Sequence, residues 1–458
     1  MDEREIVRIM LSHGLNLTPD AFDIIKGFSE DQFNELLRRI SEKFPDAAVV
    51  TREMVEPEEI EELEEMLSVE FQASANPVDG TLEEFLRYMR DRFSRIQGLI
   101  LSRTGLKAME IAAVKRMSPG ESVTVIGMVR EKKKTKQGGE MMLIEDISGE
   151  IPCFLQNGAL KERYDRVVRD SVVAVNGTIT KNGGINVRNI IFPDVPQRDR
   201  KSIRAEGKIA FISDIHIGSK YFNRKAFSSF IEWASDQDDL KYIILCGDLV
   251  DGVGVYPGQE TELEVSNVWE QYKLASEFLT HISKRKKIVY IPGNHEPVRQ
   301  SEPQPPVPDK YSMFLPENSV KLSNPSIIGI GGVRIMLYHG RSLNSMFKYI
   351  PGMQPVSPSS VVKAMETLLV LRHLAPIYGE HPIAPGDRDE LVIEEVPDVL
   401  CMGHIHVYGV GEYKGVKLIN PGTFQEETPY IRKMGIEVTP GTVPVLDLKT
   451  MNISIERF

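Results

Sequence analysis

Cysteine is scarce in this 458-residue chain, and the three present (Cys153, Cys246, Cys401) lie far apart within apolar runs. A disulfide framework and a thiolate metal site are thereby excluded, and the cysteines read as reduced core residues of an intracellular protein. Positive charge is also in deficit, with 55 Lys and Arg against 66 Asp and Glu for a net charge of -11. A histone-like binder is excluded, and any contact with nucleic acid must come from local basic patches. No apolar run approaches the ~18 to 20 residues of a membrane span, and the charged start Met1-Asp2-Glu3-Arg4-Glu5 lacks the apolar stretch of a signal peptide. The expectation is a cytoplasmic protein with no membrane association. What is present, 41% hydrophobic and 26% charged residues, is ordinary for a folded chain, and its length exceeds what one core organises.

Helix start signals open the chain: Thr18-Pro19-Asp20 as cap and first-turn proline, and Ser29 with Gln32 as a capping box. Residues 53–70 are dense in glutamate and read as a solvated helix, followed by the turn-forming linker 72–80. From Ser122 five short β-branched segments follow (123–129, 141–144, 150–154, 172–179 and 185–192), separated by turns such as Ser148-Gly149, which suits a small Greek-key barrel of the OB type. Its first interstrand loop is expected to carry residues 130–136 (REKKKTK). Lys132, Lys133 and Lys134 there are candidate nucleic-acid contacts, although no aromatic residue interleaves with them and a solvated hairpin tip explains them as well.

From Gly207 onward apolar strands alternate with helical stripes such as Phe227, Phe230, Ile231 and Ala234, the pattern of an α/β domain. The predicted fold is therefore multidomain: a helical N-terminal domain with acidic linker (1–75), a helical connector (76–117), an OB-type barrel (118–200) and an α/β sandwich (205–458).

The strands of the last domain stop at potential metal ligands, where an α/β sheet places its sites. The motifs are Asp214-Ile-His216, Gly247-Asp248, Gly293-Asn294-His295, His339-Gly340 and Gly403-His404-Ile-His406. Singly, each is as well explained by a helix cap, a turn or a hydrogen-bonded histidine. Together they are not, because five of the nine histidines occupy these strand ends, while His13, His281, His373 and His381 do not. Two carboxylates, an amide and several imidazoles form an oxygen and nitrogen set suited to manganese, iron or zinc, with magnesium also admitted, rather than to calcium. Such a set can hold two divalent ions sharing one carboxylate, an arrangement that hydrolyses phosphate esters.

In this order the five motifs resemble the calcineurin-like metallophosphoesterase superfamily. The resemblance implies that Asp214, His216, Asp248 and His406 hold one metal and that Asp248, Asn294, His339 and His404 hold the other, with Asp248 bridging. It further implies that His295 protonates the leaving oxygen or orients the scissile phosphate. Protein phosphatases carry an arginine after the second motif that is absent from Gly247-Asp248-Leu249-Val250-Asp251-Gly252, although Gly293-Asn294-His295-Glu296 matches them.

The flanking segments Arg299-Gln300-Ser301-Glu302-Pro303-Gln304-Pro305, Tyr338-His339-Gly340-Arg341-Ser342 and Asn420-Pro421-Gly422-Thr423-Phe424-Gln425 are similar to those of the small subunits of archaeal family D DNA polymerases. That likeness implies a proofreading 3′–5′ exonuclease, with manganese the first choice of metal. The implied partners are a large catalytic subunit, DNA as a single-stranded 3′ end or primer–template, and a sliding clamp. Arg299 and Arg341 are candidate phosphate contacts, with surface ion pairs as the equal alternative. The proline-rich stretch 303–308 and the barrel are candidate docking surfaces for the large subunit. The rival functions are a repair nuclease or phosphatase of the same superfamily, and a purely structural polymerase subunit.

Overall fold

The computed structural model describes residues 3–45, 47–55, 66–74, 76–135, 138–155, 158–198, 205–282 and 285–458, without the side chains of 30–32, 42–43 and 53. Two compact units separate at Met66. The first is helical, with Glu3–Ser12, Pro19–Ile25, Glu30–Lys43 and Arg52–Val55. It closes on a core that includes Ile6, Met10, Ile25, Phe33, Leu36 and Ile40. Thr18 precedes the second helix and Pro19 opens it, as expected, but the Thr18 side chain makes no capping bond. The expected capping box at Gln32 and most of the acidic helix (56–65) lie outside the described residues.

Residues 67–72 depart from expectation. Instead of the end of a glutamate-rich helix and the start of a linker, Leu67–Gln72 is a strand. It pairs antiparallel with Ser326–Ile330, so it belongs to the second unit, and Glu70 meets Arg334 at 2.5 Å. These six residues alternate apolar and polar, but the run is short and continues a glutamate-rich segment. The open edge of a distant sheet supplies the backbone partners that outweigh local propensity.

Helix Leu82–Thr104 begins with a Thr81/Glu84 capping box and ends at a left-handed Gly105. Its Ile96 and Ile100 pack on Ile126, Met128, Val172 and Ala174 of the barrel. Its Arg92 is buried against Asp389 of the C-terminal region, Nε to Oδ2 2.6 Å. The barrel consists of Ser122–Lys134, Glu140–Asp146, Gly149–Leu155, Val172–Ile179 and Ile185–Ile191. In space it runs first, second, third, fifth, fourth and closes on the first, a Greek-key path. The first strand is longer than expected, so Lys132, Lys133 and Lys134 pair with Met142, Met141 and Glu140 and lie on the ladder, not in a loop.

Two six-stranded sheets form the rest. One runs Ser319–Lys321, Lys287–Ile291, Leu240–Cys246, Lys208–Ile212, Thr442–Asp447, Ile453–Arg457; the other runs Gly409–Tyr413, Val416–Asn420, Val399–Cys401, Val333–Leu337, Ser326–Ile330, Leu67–Gln72. The near-continuous apolar run Tyr242–Cys246 is buried throughout, as a central parallel strand covered on both faces requires. Cys246 of the first sheet points its Sγ at the carbonyls of Tyr338 and Cys401 of the second, at 3.5 and 3.6 Å. All three cysteines are free and buried, as their apolar surroundings suggested. Among the described residues no helix is long and apolar enough to cross a membrane.

Candidate metal centre

The five strand-end motifs divide between the two sheets. Asp214, Asp248 and Asn294 follow strands of the first, and His339 and His404 follow strands of the second. The packing brings them to one place. Asp214, His216 and His406 form one group of donors within 4.8 Å of one another, and Asp248, His339 and His404 form another. Asp248 connects the two, with Oδ2 3.3 Å from His339 Nε2 and 3.8 Å from His216 Nε2. Asn294 Oδ1 lies 3.2 Å from His339 Nε2. All seven sequence-predicted ligands thus converge.

The backbone bends sharply to allow this. Asp214, His216, Asp248, His404 and His406 all have φ between 52° and 72°, a left-handed conformation that side chains other than glycine rarely adopt. The motif glycines have a steric reason. A Cβ on Gly293 would lie 2.2 Å from Asp248 Oδ1, and one on Gly403 would lie 2.0 Å from Ser213 Oγ and 2.8 Å from Asp214 Oδ2.

Hydrogen bonds set the rings. His339 Nδ1 donates to the Cys246 carbonyl at 2.9 Å, and His216 Nδ1 donates to Asp251 Oδ1 at 2.9 Å, so each turns Nε2 inward as a lone-pair donor. The Asn344 amide donates to His404 Nε2 at 2.9 Å. Asp251 is itself held by Gln259, Nε2 to Oδ2 3.1 Å. Glu296 accepts from the backbone N–H of Asp248, Leu249 and Gly293 and from the Tyr290 hydroxyl, which ties two motif loops together. Glu296 and Asn344 received no role from the motifs, although Glu296 completes Gly-Asn-His-Glu.

The group fits divalent cations. Asp214 Oδ1 is buried without a hydrogen-bond partner. His216 Nε2 and His406 Nε2 face each other at 3.1 Å, a hydrogen bond that a cation held between the two rings would replace. Burial alone would raise the Asp248 pKa, but His339 and His295 outweigh it and hold the carboxyl well below its ordinary range. Burial pulls His339 down, but Asp248 and Asp214 outweigh it and lift the ring to about 10. The carboxylates therefore call for positive charge at their centre.

His295 stands at the edge of this centre, in a third donor group with His216 and Asp248. Its ring is 4.6 Å from that of His216, nearly perpendicular to it. Its Nδ1 donates to the Asp251 carbonyl at 2.7 Å, and among the described residues Nε2 has no hydrogen-bond partner. Burial opposes its charged form, yet Asp248 and Asp251 raise its pKa above the ordinary value.

The candidate nucleic-acid residues fare differently. Lys132 turns inward, donating to the carbonyls of Tyr164 and Val167 at 2.6 Å, with its ammonium 4.2 Å above the Tyr164 ring. Burial lowers its pKa to about 8. This lysine caps the end of helix Lys161–Arg166 and is not placed to grip a phosphate. Lys133 is exposed and paired with Glu131; Lys134 is exposed. Arg299 donates to the Pro303 and Asn76 carbonyls and Arg341 to the Gln300 carbonyl, and among the described residues neither has a carboxylate partner. They brace the 299–304 loop, a role that neither expectation included. The proline-rich stretch is built into the fold: Pro303, Gln304 and Val307 are buried, and Gln304 Nε2 donates to the Gly293 carbonyl at 2.9 Å.

A two-sheet α/β sandwich thus gathers oxygen and imidazole donors at its strand ends, with one aspartate between the two groups, which is where a sheet of this class places its sites. Residues 209–408 match the family of DNA polymerase alpha/epsilon B subunits. The chain is 40% identical over 390 residues to the DNA polymerase II small subunit of Methanothermobacter thermautotrophicus, covering 82% of this chain and 79% of that one. It is 34% identical over 471 residues to the DNA polymerase II small subunit of Thermoplasma acidophilum, covering 100% and 93%. The chain belongs to the family of archaeal DNA polymerase II small subunits. Among solved structures, a novel archaeal phosphodiesterase is similar over 55% of this chain and 99% of that one, at 16% identity and a TM-score of 0.29, too slight a likeness to bear on the site.

Proposed function

We propose that this chain is the proofreading 3′–5′ exonuclease subunit of a heteromeric archaeal DNA polymerase, hydrolysing phosphodiester bonds at DNA 3′ ends while a separate large subunit polymerises. The observation that carries this reading is the junction of two donor groups at Asp248, beside a histidine whose Nε2 has no hydrogen-bond partner among the described residues. Asp214, His216, Asp248 and His406 would hold one divalent ion and Asp248, Asn294, His339 and His404 the second, with manganese the first choice. Bound there, the pair would activate an attacking water and neutralise charge developing on the phosphoryl oxygens.

The chain's own residues do the rest. Asp251 holds His216 through its carboxylate and His295 through its carbonyl, so one residue orients both a ligand and the proton donor. With Nδ1 engaged, a protonated His295 presents Nε2–H to the leaving 3′ oxygen. Asp248 and Asp251 favour the protonated ring, while burial opposes it. Arg299 and Arg341, which bond to carbonyls and to no carboxylate among the described residues, and the exposed Lys134 are candidates for the strand's backbone. The barrel, of the OB type, and the proline-rich stretch 303–308 are the candidate surfaces for the large subunit, with the net acidity assigning much of the DNA grip to that partner; a sliding clamp is a further candidate partner.

The test is a manganese-dependent digestion of a 3′-mismatched primer by wild type, Asp248→Asn and His295→Gln. Nucleotide release by wild type, lost in Asp248→Asn and reduced about 10²- to 10⁴-fold in His295→Gln with metal content retained, is expected. Release of inorganic phosphate from monoesters alone would make the chain a phosphatase. No release from either substrate would make it a structural subunit.

A further inference from the structure

Beyond the metal donors and His295 lies an exposed aromatic ring. Tyr256 is 37% exposed, and its ring centroid is 6.2 Å from that of His295, at an interplanar angle of 67°. His295 in turn stands 4.6 Å from His216. The three rings thus step outward from the donors to solvent. The ring is fixed in place from both ends. Its hydroxyl donates to Glu262 Oε2 at 3.0 Å, and its loop is anchored by two buried amides: Gln259 accepts from the Val255 N–H at 2.9 Å and donates to the Asp251 carbonyl at 2.8 Å, and Gln271 accepts from the Gly252 N–H at 2.9 Å. Val253, 45% exposed on the same loop, adds an apolar neighbour.

A tyrosine ring left open to solvent beside a phosphoester site has one chemical use that a phosphate alone does not call on. It offers a flat apolar face to whatever is attached to the phosphate. We infer that Tyr256 is a positioning residue that stacks the base of the 3′-terminal nucleotide, and so selects nucleic-acid ends over simple phosphoesters. This rests on the phosphodiesterase reading above and names the part of the substrate that its metal donors cannot recognise. Because the ring is already ordered, stacking costs little additional side-chain freedom. Stacking on an aromatic side chain is sequence-tolerant, as removal of any mispaired base requires.

The experiment compares wild type, Tyr256→Phe and Tyr256→Leu on two primers that differ only in whether the 3′-terminal residue carries a base or is abasic. Wild type and Tyr256→Phe are expected to show a KM about tenfold or more lower for the base-bearing end, and Tyr256→Leu nearly equal KM for both, with kcat little changed. A 3′-terminal 2-aminopurine should be quenched on binding to wild type and Tyr256→Phe, and not on binding to Tyr256→Leu. A variant that merely disturbs the loop would lose both primers equally and keep the base preference, which would overturn the inference, as would equal KM ratios in all three proteins. Hydrolysis of neither primer by wild type would instead defeat the underlying phosphodiesterase reading.

Discussion

Asp248 and His339 belong to different sheets, yet Oδ2 of the carboxylate lies 3.3 Å from Nε2 of the ring. Neither residue is placed by its own strand alone: the pair exists because the two sheets pack face to face, with Cys246 and Cys401 between them. Gly293 backs directly onto it.

Gly293→Ala would put a Cβ 2.2 Å from Asp248 Oδ1 and 2.6 Å from His339 Cε1. The expected outcome is a folded protein whose manganese affinity is about 10- to 100-fold weaker. Calorimetric titration checks this, with circular dichroism to verify the fold. Unchanged affinity would show that the two ligands can separate without loss.

Asp251→Asn removes the negative charge that meets His216 Nδ1 but keeps the carbonyl that meets His295. Metal affinity and primer hydrolysis should fall together, by about 10- to 100-fold. A fall in hydrolysis with metal affinity intact would transfer the role of Asp251 from His216 to His295.

Asp389→Asn leaves the Arg92 guanidinium, fully buried and bonded to Asp389 at 2.6 Å, without its counter-charge. Breaking such a pair costs about 3 to 5 kcal/mol. Urea unfolding should show that loss, while manganese affinity of the folded protein stays at the wild-type value. A loss near zero would mean that Tyr88 and the Pro376 carbonyl suffice for Arg92.

Acid should destabilise the second unit through His373. Burial and the nearby Arg92 charge outweigh the Asp389 carboxylate and lower its pKa to about 4. The folded state therefore holds this ring neutral while the unfolded chain takes up a proton below about pH 6.5. Stability is retained above that value and lost progressively as pH falls toward 4, by about 3 kcal/mol at most. His373→Gln should flatten the pH dependence of unfolding across this window by close to one proton, and an unchanged slope would rule out the assignment.

Lys132→Met should destabilise the barrel by about 1 to 3 kcal/mol, because two buried carbonyls lose their donor. Affinity for single-stranded DNA and its salt dependence should not change. A reduced salt slope would return Lys132 to the nucleic-acid surface.

The residues that read correctly from the chain were those whose chemistry is carried by type and spacing. The histidines concentrated after apolar runs are the ones the fold brings together with the candidate carboxylates, and the β-branched segments from Ser122 marked five barrel strands. Lys132 misread because a run of like charges suggests a solvated tip, whereas pairing with Met142 continues the strand and turns one ammonium onto helix carbonyls. Leu67–Gln72 misread because its partner is the strand Ser326–Ile330, more than two hundred residues away.

The primary structure alone specified which atoms could bind metal, since oxygen and imidazole nitrogen donors without thiolates are a matter of composition and order. It could not specify which donors meet. Asp214 and Asp248 leave one sheet and His339 and His404 leave the other, so their distances follow from the packing of two cores. The left-handed turns at five candidate donors are also sustained by that packing against their intrinsic cost. The same holds for Tyr256, an ordinary loop tyrosine until the fold sets its ring beside His295.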